Sequence, residues 1–488
     1  MGSSSPQAIV LISVDDLRYD CVSQADEPAL FDMYGLDSSE HTTDTIDSLW
    51  EEGTGFEYAT SASSYTPPSH GSLFTGQYPS DHGVRTFFNK MSDDTETIAE
   101  LAANAGFETH AWIENIALDM LDVTKGFDRT VCPFESDDEN LFEFVDTALS
   151  SSDPVFLFVH LFDVHKPYLY TTGGEERHRY NDDYPVVLDE VLPEGLTASS
   201  MVADAKAEAR ETVDNYDNLS DSLAEYAHYR SLDYLLRQRL EESVDEERFK
   251  YLVELYRKGV EKFDRGRLAD LLETIRSGLD DQYLLTLTSD HGEAKCEWRG
   301  RTDFMNSFNV SEGATRVPWI FETDLNGFES NLVAEDTTVS HVDLYPTVAD
   351  LLDEPTAAQT VRGHSLLSGI PDDRSLFTES WYYEGGVNFF GNVSEPGSGG
   401  LSEIAIREGS YKLVRAFEDT GTKDASLYHV DDILERNDIS GENQDEYERL
   451  QEHLDQYLDD LDPVCEPDIT DDDSDRLESR LRALGYLE

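Results

Sequence analysis

The sequence predicts an α/β protein: a large, mixed, mainly parallel sheet sandwiched by helices, followed by a small C-terminal antiparallel sheet and helix. Two observations carry this expectation. Apolar runs of strand length at Ala8–Val14, Val155–Phe162 and Tyr283–Thr288, with Phe107–Ile113 as a further candidate strand, alternate with helical patterns, as repeated strand–helix units do. After about Pro371 the runs become short and closely spaced around turns, as hairpins do. The change of pattern divides the chain into a first unit over residues 6–370 and a second over 371–488.

Ala8–Val14 is apolar but for Ser13 and ends in Asp15-Asp16, which fits a parallel strand covered on both faces. Thr45–Glu52 places Ile46, Leu49 and Trp50 on one helical face, with Gly53 as its stop. Thr95–Ala105 repeats that pattern before Gly106. Tyr170–Arg276 is charged and helical in pattern and is expected to pack over the sheet, with Thr171–Asp189 as a loop near the site. Ser375–Glu379, Glu403–Arg407, Tyr411–Ala416 and Ser426–Val430 read as short strands, with Glu408-Gly409-Ser410 as a turn between two of them. Next come an acidic helical segment, a linker at Asp471–Asp473 and a last amphipathic helix over Ser474–Leu484, which Ser474 would cap.

Composition narrows the function. Across 488 residues there are 36 Lys+Arg against 103 Asp+Glu, a net charge of −67, and only 10 of the basic residues are Lys. With 39% hydrophobic and 11% aromatic residues the chain can still build a sizeable core. Acidity spread along the whole sequence would self-repel in dilute buffer. In molar salt the Debye length falls to about 3 Å and the repulsion is screened, so a salt-rich setting is expected. Nucleic acid is an unfavourable partner, because no basic stripe is available to neutralise phosphates. Cys21, Cys132, Cys296 and Cys465 lie far apart with no metal spacing, and read as thiols. No apolar run approaches the roughly 18–20 residues of a membrane span. The Ser-rich N-terminus lacks basic residues and leads straight into a strand, so a cytoplasmic protein is expected.

Four segments each end or follow a strand with polar residues, where open α/β sheets bind their ligands. They are Asp15-Asp16, Thr66-Pro67-Pro68-Ser69-His70-Gly71, Asp163 with His165, and Ser289-Asp290-His291-Gly292-Glu293. Each alone has a plainer reading: an acidic pair as a turn or cap, a Pro-rich stretch as a helix start. Together they compose a hard-metal site. Asp15, Asp16, Asp290 and His291 would supply carboxylate and imidazole ligands to one divalent ion, Ca²⁺, Mg²⁺ or Mn²⁺. Thr66 would stand at the positive end of a helix, where a cation lowers a hydroxyl pKa. Lys295 and Arg299 come soon after the fourth segment and could hold an anionic substrate, or could be solvated charges.

These segments resemble the sulfatase family of the alkaline-phosphatase superfamily. The blocks "IVLISVDDLRYD", "TPPSHGSLFTG", "FLFVHLFDVHKPY", "TSDHGE", "EGATRVP" and "HVDLYPTVADLL", then "IREGSYKLVRA", "LYHVDDILERNDIS" and "LRALGYLE", occur in family order over nearly the whole chain. The resemblance implies an alkaline-phosphatase-like fold and hydrolysis of sulfuric or phosphoric esters of small anionic molecules. It implies metal ligation by Asp15, Asp16, Asp290 and His291, a nucleophile at Thr66, and a contact to the leaving oxygen from His165. Arg316, in the R-V-P block, would be structural. Three departures stand out. Thr66 replaces the Cys or Ser that sulfatases oxidise to formylglycine. His70 stands where the motif has the Arg that supports the nucleophile. The family's anion-binding Lys is replaced, with Ser307 nearest its position. Trp112 to Asn115 lies where a K-W-H-x-G block would fall, and Asn115 is the substrate-side candidate there. A Thr nucleophile with an Asp-His metal pair is similar to phosphoglycerol transferases and nucleotide phosphodiesterases. Three readings therefore stand: an ester hydrolase leaning toward phosphoesters and phosphonates, a phosphoryl-group transferase, and a non-catalytic binding protein on the same fold.

Overall fold

In a computed structural model, the structure describes residues 6–24, 29–38, 41–86, 89–133, 138–165, 197, 200, 203–204, 207–208, 246–295, 309–325, 338–354, 361–371, 374–383, 399–418, 421–422, 425–462 and 464–465. Strands β1 (Ala8–Val14), β2 (Thr54–Phe56), β3 (Tyr58–Thr60), β4 (Glu108–Ile113), β5 (Arg129–Val131), β6 (Val155–Leu161), β7 (Tyr283–Ser289), β8 (Trp319–Thr323) and β9 (Thr338–Ser340) belong to the first unit. Seven form one sheet in the order β2-β8-β7-β1-β6-β4-β5. β7, β1, β6, β4 and β5 run parallel, while β8 and β2 extend the β7 edge antiparallel. The expected mixed, mainly parallel sheet is present.

The helices are α1 (Asp44–Glu52), α2 (Thr66–Thr75), α3 (Ile98–Asn104), α4 (Asp138–Leu149), α5 (Glu246–Phe263), α6 (Ala269–Gly278), α7 (Leu344–Leu352) and α8 (Gln444–Asp459). Alternate residues of β1 separate into two cores. Val10, Ile12 and Val14 pack with Val145, Tyr256, Val260 and Leu271 on α4, α5 and α6. Ile9 and Leu11 pack with Leu73, Ile98 and Val348 on α2, α3 and α7. Covering both faces is why β1 and β6 are apolar on both faces, with Ser13 and His160 as their polar positions. Of the helical stretch expected over the sheet, Tyr170–Arg276, the described part forms α5 and α6; most of the residues before Glu246, Thr171–Asp189 among them, and Asp471–Asp473 and Ser474–Leu484 lie outside the described residues. Helix α3 starts later than Thr95 because Thr97 caps it. Thr97 Oγ1 accepts the Glu100 N–H at 3.2 Å and Glu100 Oε2 accepts the Thr97 N–H at 3.0 Å.

The second unit holds β10 (Leu376–Tyr383), β11 (Gly399–Glu408), β12 (Tyr411–Glu418), β13 (Gly421–Thr422), β14 (Ser426–His429) and β15 (Val464–Cys465). All its pairings are antiparallel, with β11 and β12 joined at a turn where Gly409 has φ +54°. Helix α8 closes it with Leu450 and Leu454 against Trp381, Ile404 and Leu413.

A buried ionic network joins the two units. Glu312 takes the Lys412 ammonium at 2.8 Å and the Arg407 guanidinium at 3.4 Å, and Lys412 reaches Glu435 at 2.9 Å. Arg316 lies over the rings of Tyr19 and Tyr58 at 4.2 and 4.5 Å, in the structural role expected of it. Burial pushes the Glu312 carboxyl up, but Lys412, Arg407 and Arg316 outweigh it and hold it down at about 2, against an ordinary value of 4.5. A depressed carboxyl stabilises the fold above its unfolded pKa, and that stability is lost as pH falls through the folded one. The difference corresponds to roughly 3 kcal/mol. We expect acid unfolding of wild type between pH 4.5 and 2 to lose this slope in Glu312→Gln, which should also be less stable at neutral pH by about 3 kcal/mol because buried Arg407 and Lys412 lose the carboxylate they share, leaving Lys412 with Glu435 alone. Denaturant melts across that range check it; superimposable profiles would refute the assignment.

Candidate active site

The register of the central strands puts the chemistry at one edge. Val14 pairs with Leu161 on one side and Ser289 on the other, so Asp15-Asp16, Phe162-Asp163 and Asp290-His291 emerge side by side. Ser289 Oγ binds the seam: it lies 2.6 Å from both the Val14 and the His291 carbonyl, with its one proton to share between them, and accepts the Leu17 N–H at 3.0 Å. Gly292 is required next, since a Cβ there would lie 2.3 Å from the Gly313 carbonyl oxygen.

Asp16 has φ +62°, a left-handed backbone that costs a non-glycine residue about 1–2 kcal/mol. It is held there by the Tyr256 hydroxyl, which donates to its carbonyl at 2.7 Å. His291 Nδ1–H donates to the Gly292 carbonyl at 2.7 Å, which leaves the Nε2 lone pair facing the carboxylates. That nitrogen is 3.5 Å from Asp290 Oδ2 and 3.9 Å from Asp15 Oδ1, while Asp16 Oδ1 is 3.2 Å from Nδ1. Asp15 Oδ1 and Asp290 Oδ2 are buried and accept no hydrogen bond from the described residues.

Thr66 is the first residue of α2, after Tyr65 in extended conformation. Pro67 and Pro68 fall in the first turn, where their missing N–H groups have no helical partner to lose. Gly76, at φ +67°, ends the helix. The Thr66 hydroxyl donates to Asp15 Oδ2 at 3.1 Å and lies 3.5 Å from His291 Nε2. Thus Asp15, Thr66, Asp290 and His291, drawn from three distant segments, meet around one point, and Asp16 lies beside it, grouped with Asp15 and His165.

Three buried carboxylates at this spacing repel one another. Burial, then Asp15 and Asp16, push the Asp290 carboxyl well above the usual range. For Asp15 burial acts upward too, but His160, His291 and Thr66 together bring it below its ordinary value. The donor set suits a hard divalent ion. The orphaned oxygens and His291 Nε2 are spaced as ligands about 2.0–2.6 Å from a shared ion would be, and such a charge would relieve the repulsion.

Of the other expected residues, His165 sits at the mouth, its side chain 16% exposed, with Nε2 3.7 Å from Asp16 Oδ2. His70 is fully buried beneath α2; Nδ1–H donates to the Thr66 carbonyl and Nε2 accepts from Ser13 Oγ, both 2.9 Å. It supports the backbone of Thr66 rather than its hydroxyl, and burial together with His160 keeps its pKa well below the usual range. Asn115 is engaged locally, accepting the Ala117 N–H at 3.1 Å. Lys295 is neither solvated nor turned to a substrate: it is buried, ion-paired with Glu293, and lies 4.4 Å over the Tyr256 ring. Arg299 and Ser307 lie outside the described residues.

Sequence reading missed His160, Tyr256 and His341. His160 is fully buried on β6 with Nε2 3.4 Å from Asp15 Oδ2. The available signal was a His inside the apolar run Val155–Phe162. His341 bridges Thr288 and Ser69 at 3.2 and 3.3 Å, and burial, then His291, push its pKa down to about 3. His70, His160 and Asp290 also cluster closely enough to suggest a second cation, but both nitrogens of His70 are already committed.

Among solved structures the chain is similar to the phosphonate monoester hydrolase of Agrobacterium radiobacter (17% identity, 93% of this chain and 95% of that one, TM-score 0.61). It is likewise similar to the phosphonate monoester hydrolase from Silicibacter pomeroyi (17%, 92% and 94%, 0.61). A third, crystallised with its substrate D-glucosamine-2-N,6-O-disulfate, matches at 16% over 94% and 99% with TM-score 0.63. At these identities the likeness is one of fold. No curated protein matches the sequence. Residues 7–354 match the family model described as Sulfatase, and the chain belongs to the sulfatase family of sulfuric- and phosphoric-ester hydrolases.

Proposed function

We propose that this protein hydrolyses phosphoric or phosphonic esters of small anionic molecules, with Thr66 as nucleophile and one divalent cation held by Asp15, Asp16, Asp290 and His291. The observation that carries the reading is the Thr66 hydroxyl at a helix N-terminus, 3.1 Å from Asp15 Oδ2 and 3.5 Å from His291 Nε2. A bound cation would make the hydroxyl more acidic and draw charge from a substrate oxygen.

The remaining work falls to the chain itself. Thr66 Oγ attacks phosphorus in line as the bond to the leaving oxygen breaks, and its proton departs along the hydrogen bond to Asp15. His165, at the mouth, gives a proton to the departing oxygen. Water then attacks phosphorus, breaks its bond to Thr66 Oγ, and frees the phosphate or phosphonate with the Thr66 hydroxyl restored. A secondary alcohol with one hydroxyl must be released by attack at the central atom, a step familiar for phosphothreonine and slow for a sulfated alkyl alcohol. This favours phosphorus over sulfur. The two structurally similar phosphonate monoester hydrolases support the same direction. Turnover of aryl phosphate monoester, phosphodiester, phosphonate and sulfate by the metal-loaded protein in molar KCl tests it. An aryl sulfate faster than every phosphorus ester would overturn the substrate assignment.

The −67 charge supports a salt-rich working environment as part of the same proposal. Melting temperature is expected to rise from dilute buffer to molar KCl as surface repulsion is screened. A flat or falling melting temperature would remove that part.

A further inference from the structure

Between α5 and α6 the helix takes a π-helical turn at Asp264–Leu268, an irregularity that often marks functional sites. The turn has two visible consequences. Asp264 accepts the N–H groups of Thr45 and Ile46 at 3.0 and 2.9 Å, tying the turn to α1. Arg267, only 5% exposed, spans the ends of two neighbouring strands. Its Nη1 donates to Asp163 Oδ2 at 2.6 Å, just beyond β6, and its Nη2 to Glu114 Oε1 at 2.5 Å, just beyond β4.

Those two carboxylates hold the segment that carries His165. Glu114 Oε2 accepts the Phe162 N–H at 3.0 Å, and Oε1 also takes the Trp112 indole N–H at 3.3 Å. The Phe162 ring stacks on the His165 imidazole with centroids 3.9 Å apart and planes 22° apart. A continuous line of contacts thus runs from Arg267 through Glu114 and Phe162 to His165, with Asp163 as a second grip on the same segment. Burial pushes the Glu114 carboxyl up, but Arg267 outweighs it and keeps it below its ordinary value, so the fork closes on two charged groups. Without the guanidinium, Asp163 and Glu114 would be two buried like charges on adjacent strand ends, and the turn between them would have to move. A planar fork satisfies two separated carboxylates at once, which a lysine ammonium does less well.

We propose that Arg267 is the positioning residue for His165, fixing the imidazole at the mouth of the site through Glu114, Phe162 and Asp163. The inference rests on the reading of His165 as the group that protonates the leaving oxygen. It makes the ionic triad part of the reaction's machinery, although Arg267 lies 104 residues away in sequence from the Asp163 carboxylate it grips.

The experiment compares phenyl and 4-nitrophenyl esters of whichever phosphoric or phosphonic acid wild type turns over. Nitrophenolate leaves unaided, whereas phenolate needs a proton. Arg267→Met is expected to lower kcat for the phenyl ester by about 100-fold, the lower range for loss of a positioned acid. For the 4-nitrophenyl ester the loss should be less than about 3-fold, with metal content unchanged. Arg267→Lys should lie between Met and wild type. The same substitution in a His165→Ala background should add nothing further, since the two residues act as one unit. Equal losses on both esters, or losses that add in the double variant, would overturn the inference. If Arg267→Met does not fold, Phe162→Leu, which leaves the triad intact and removes the stacked ring, must give the same discrimination between esters. A readout independent of turnover separates this inference from the functional reading. In protein labelled at histidine, NMR relaxation of the His165 ring should report a fixed imidazole in wild type and a mobile one in Arg267→Met. An unchanged ring refutes the positioning role even if every assay behaves as expected. A wild type that hydrolyses no ester, with a ring that loosens on substitution, refutes the activity and leaves the positioning role standing.

Discussion

Asp290→Ala is expected to purify without a bound divalent ion and to lose turnover entirely, while keeping its fold. Asp290 is fully buried, its Oδ2 accepts no hydrogen bond from the described residues, and it lies 3.5 Å from His291 Nε2. Removing it takes away one of four proposed ligands and the one whose carboxyl is pushed upward by burial and by Asp15 and Asp16. The consequence for stability depends on metal. Without the ion, the substitution removes a like charge from a crowded set, so the metal-free variant should melt no lower than metal-free wild type. With the ion, wild type gains stability by mass action, about 2.7 kcal/mol at a hundredfold excess over Kd, and the variant gains none. Metal analysis of the purified proteins, with melts before and after chelation, measures both. Unchanged metal content in the variant, or a metal-induced rise in its melting temperature equal to wild type's, would show that Asp290 is only a cap on the next segment of chain.

Thr66→Ala is expected to cut kcat by about a thousandfold or more, the scale seen when a nucleophile is removed, and to leave the metal in place. The hydroxyl makes few structural contacts: it donates to Asp15 Oδ2 and approaches His291 Nε2. Ala suits a helix start less well than Thr only by a small amount, since Tyr65, not Thr66, is the capping position. The stability change should therefore be minor and the kinetic change large. Thr66→Ser, which keeps one hydroxyl, should retain most of the lost activity. The phosphorylated intermediate gives a direct check, because quenching during turnover should trap phosphate on a peptide containing Thr66. Unchanged turnover in Thr66→Ala would overturn the mechanism. Turnover that is lost for a preferred aryl sulfate would keep the nucleophile and overturn the preference for phosphorus.

Much of this site was legible in the sequence because its parts sit at strand ends. A run such as Ala8–Val14 announces a buried strand by its own composition, and the adjoining Asp15-Asp16 pair inherits a position at the sheet's carboxyl edge. The same logic located Thr66 at a helix start and Asp290-His291 after β7, while the family was legible only through the resemblance of the ordered sequence blocks. The antiparallel character of the second unit was legible for a related reason: short strands and a Gly turn are local features. The antiparallel strands β2 and β8 were not, being three and five residues long with no period to read.

What only the tertiary structure decided is which buried charge meets which. Lys295 and Arg299 looked alike as cations after β7, yet Lys295 is enclosed with Glu293 under Tyr256. Asn115 looked available and is engaged with Ala117. His160, inside a strand that the sequence showed only as an apolar run, stands beside Asp15. Arg267, on which the sequence pattern was silent, closes on Asp163 and Glu114. Hydrophobic periodicity is a property of neighbours along the chain, so a sequence displays it directly. The partner of a buried polar group is chosen by packing between segments far apart in sequence, and by the large cost of leaving that group unsatisfied once it is out of water, a constraint that exists only after the chain has folded.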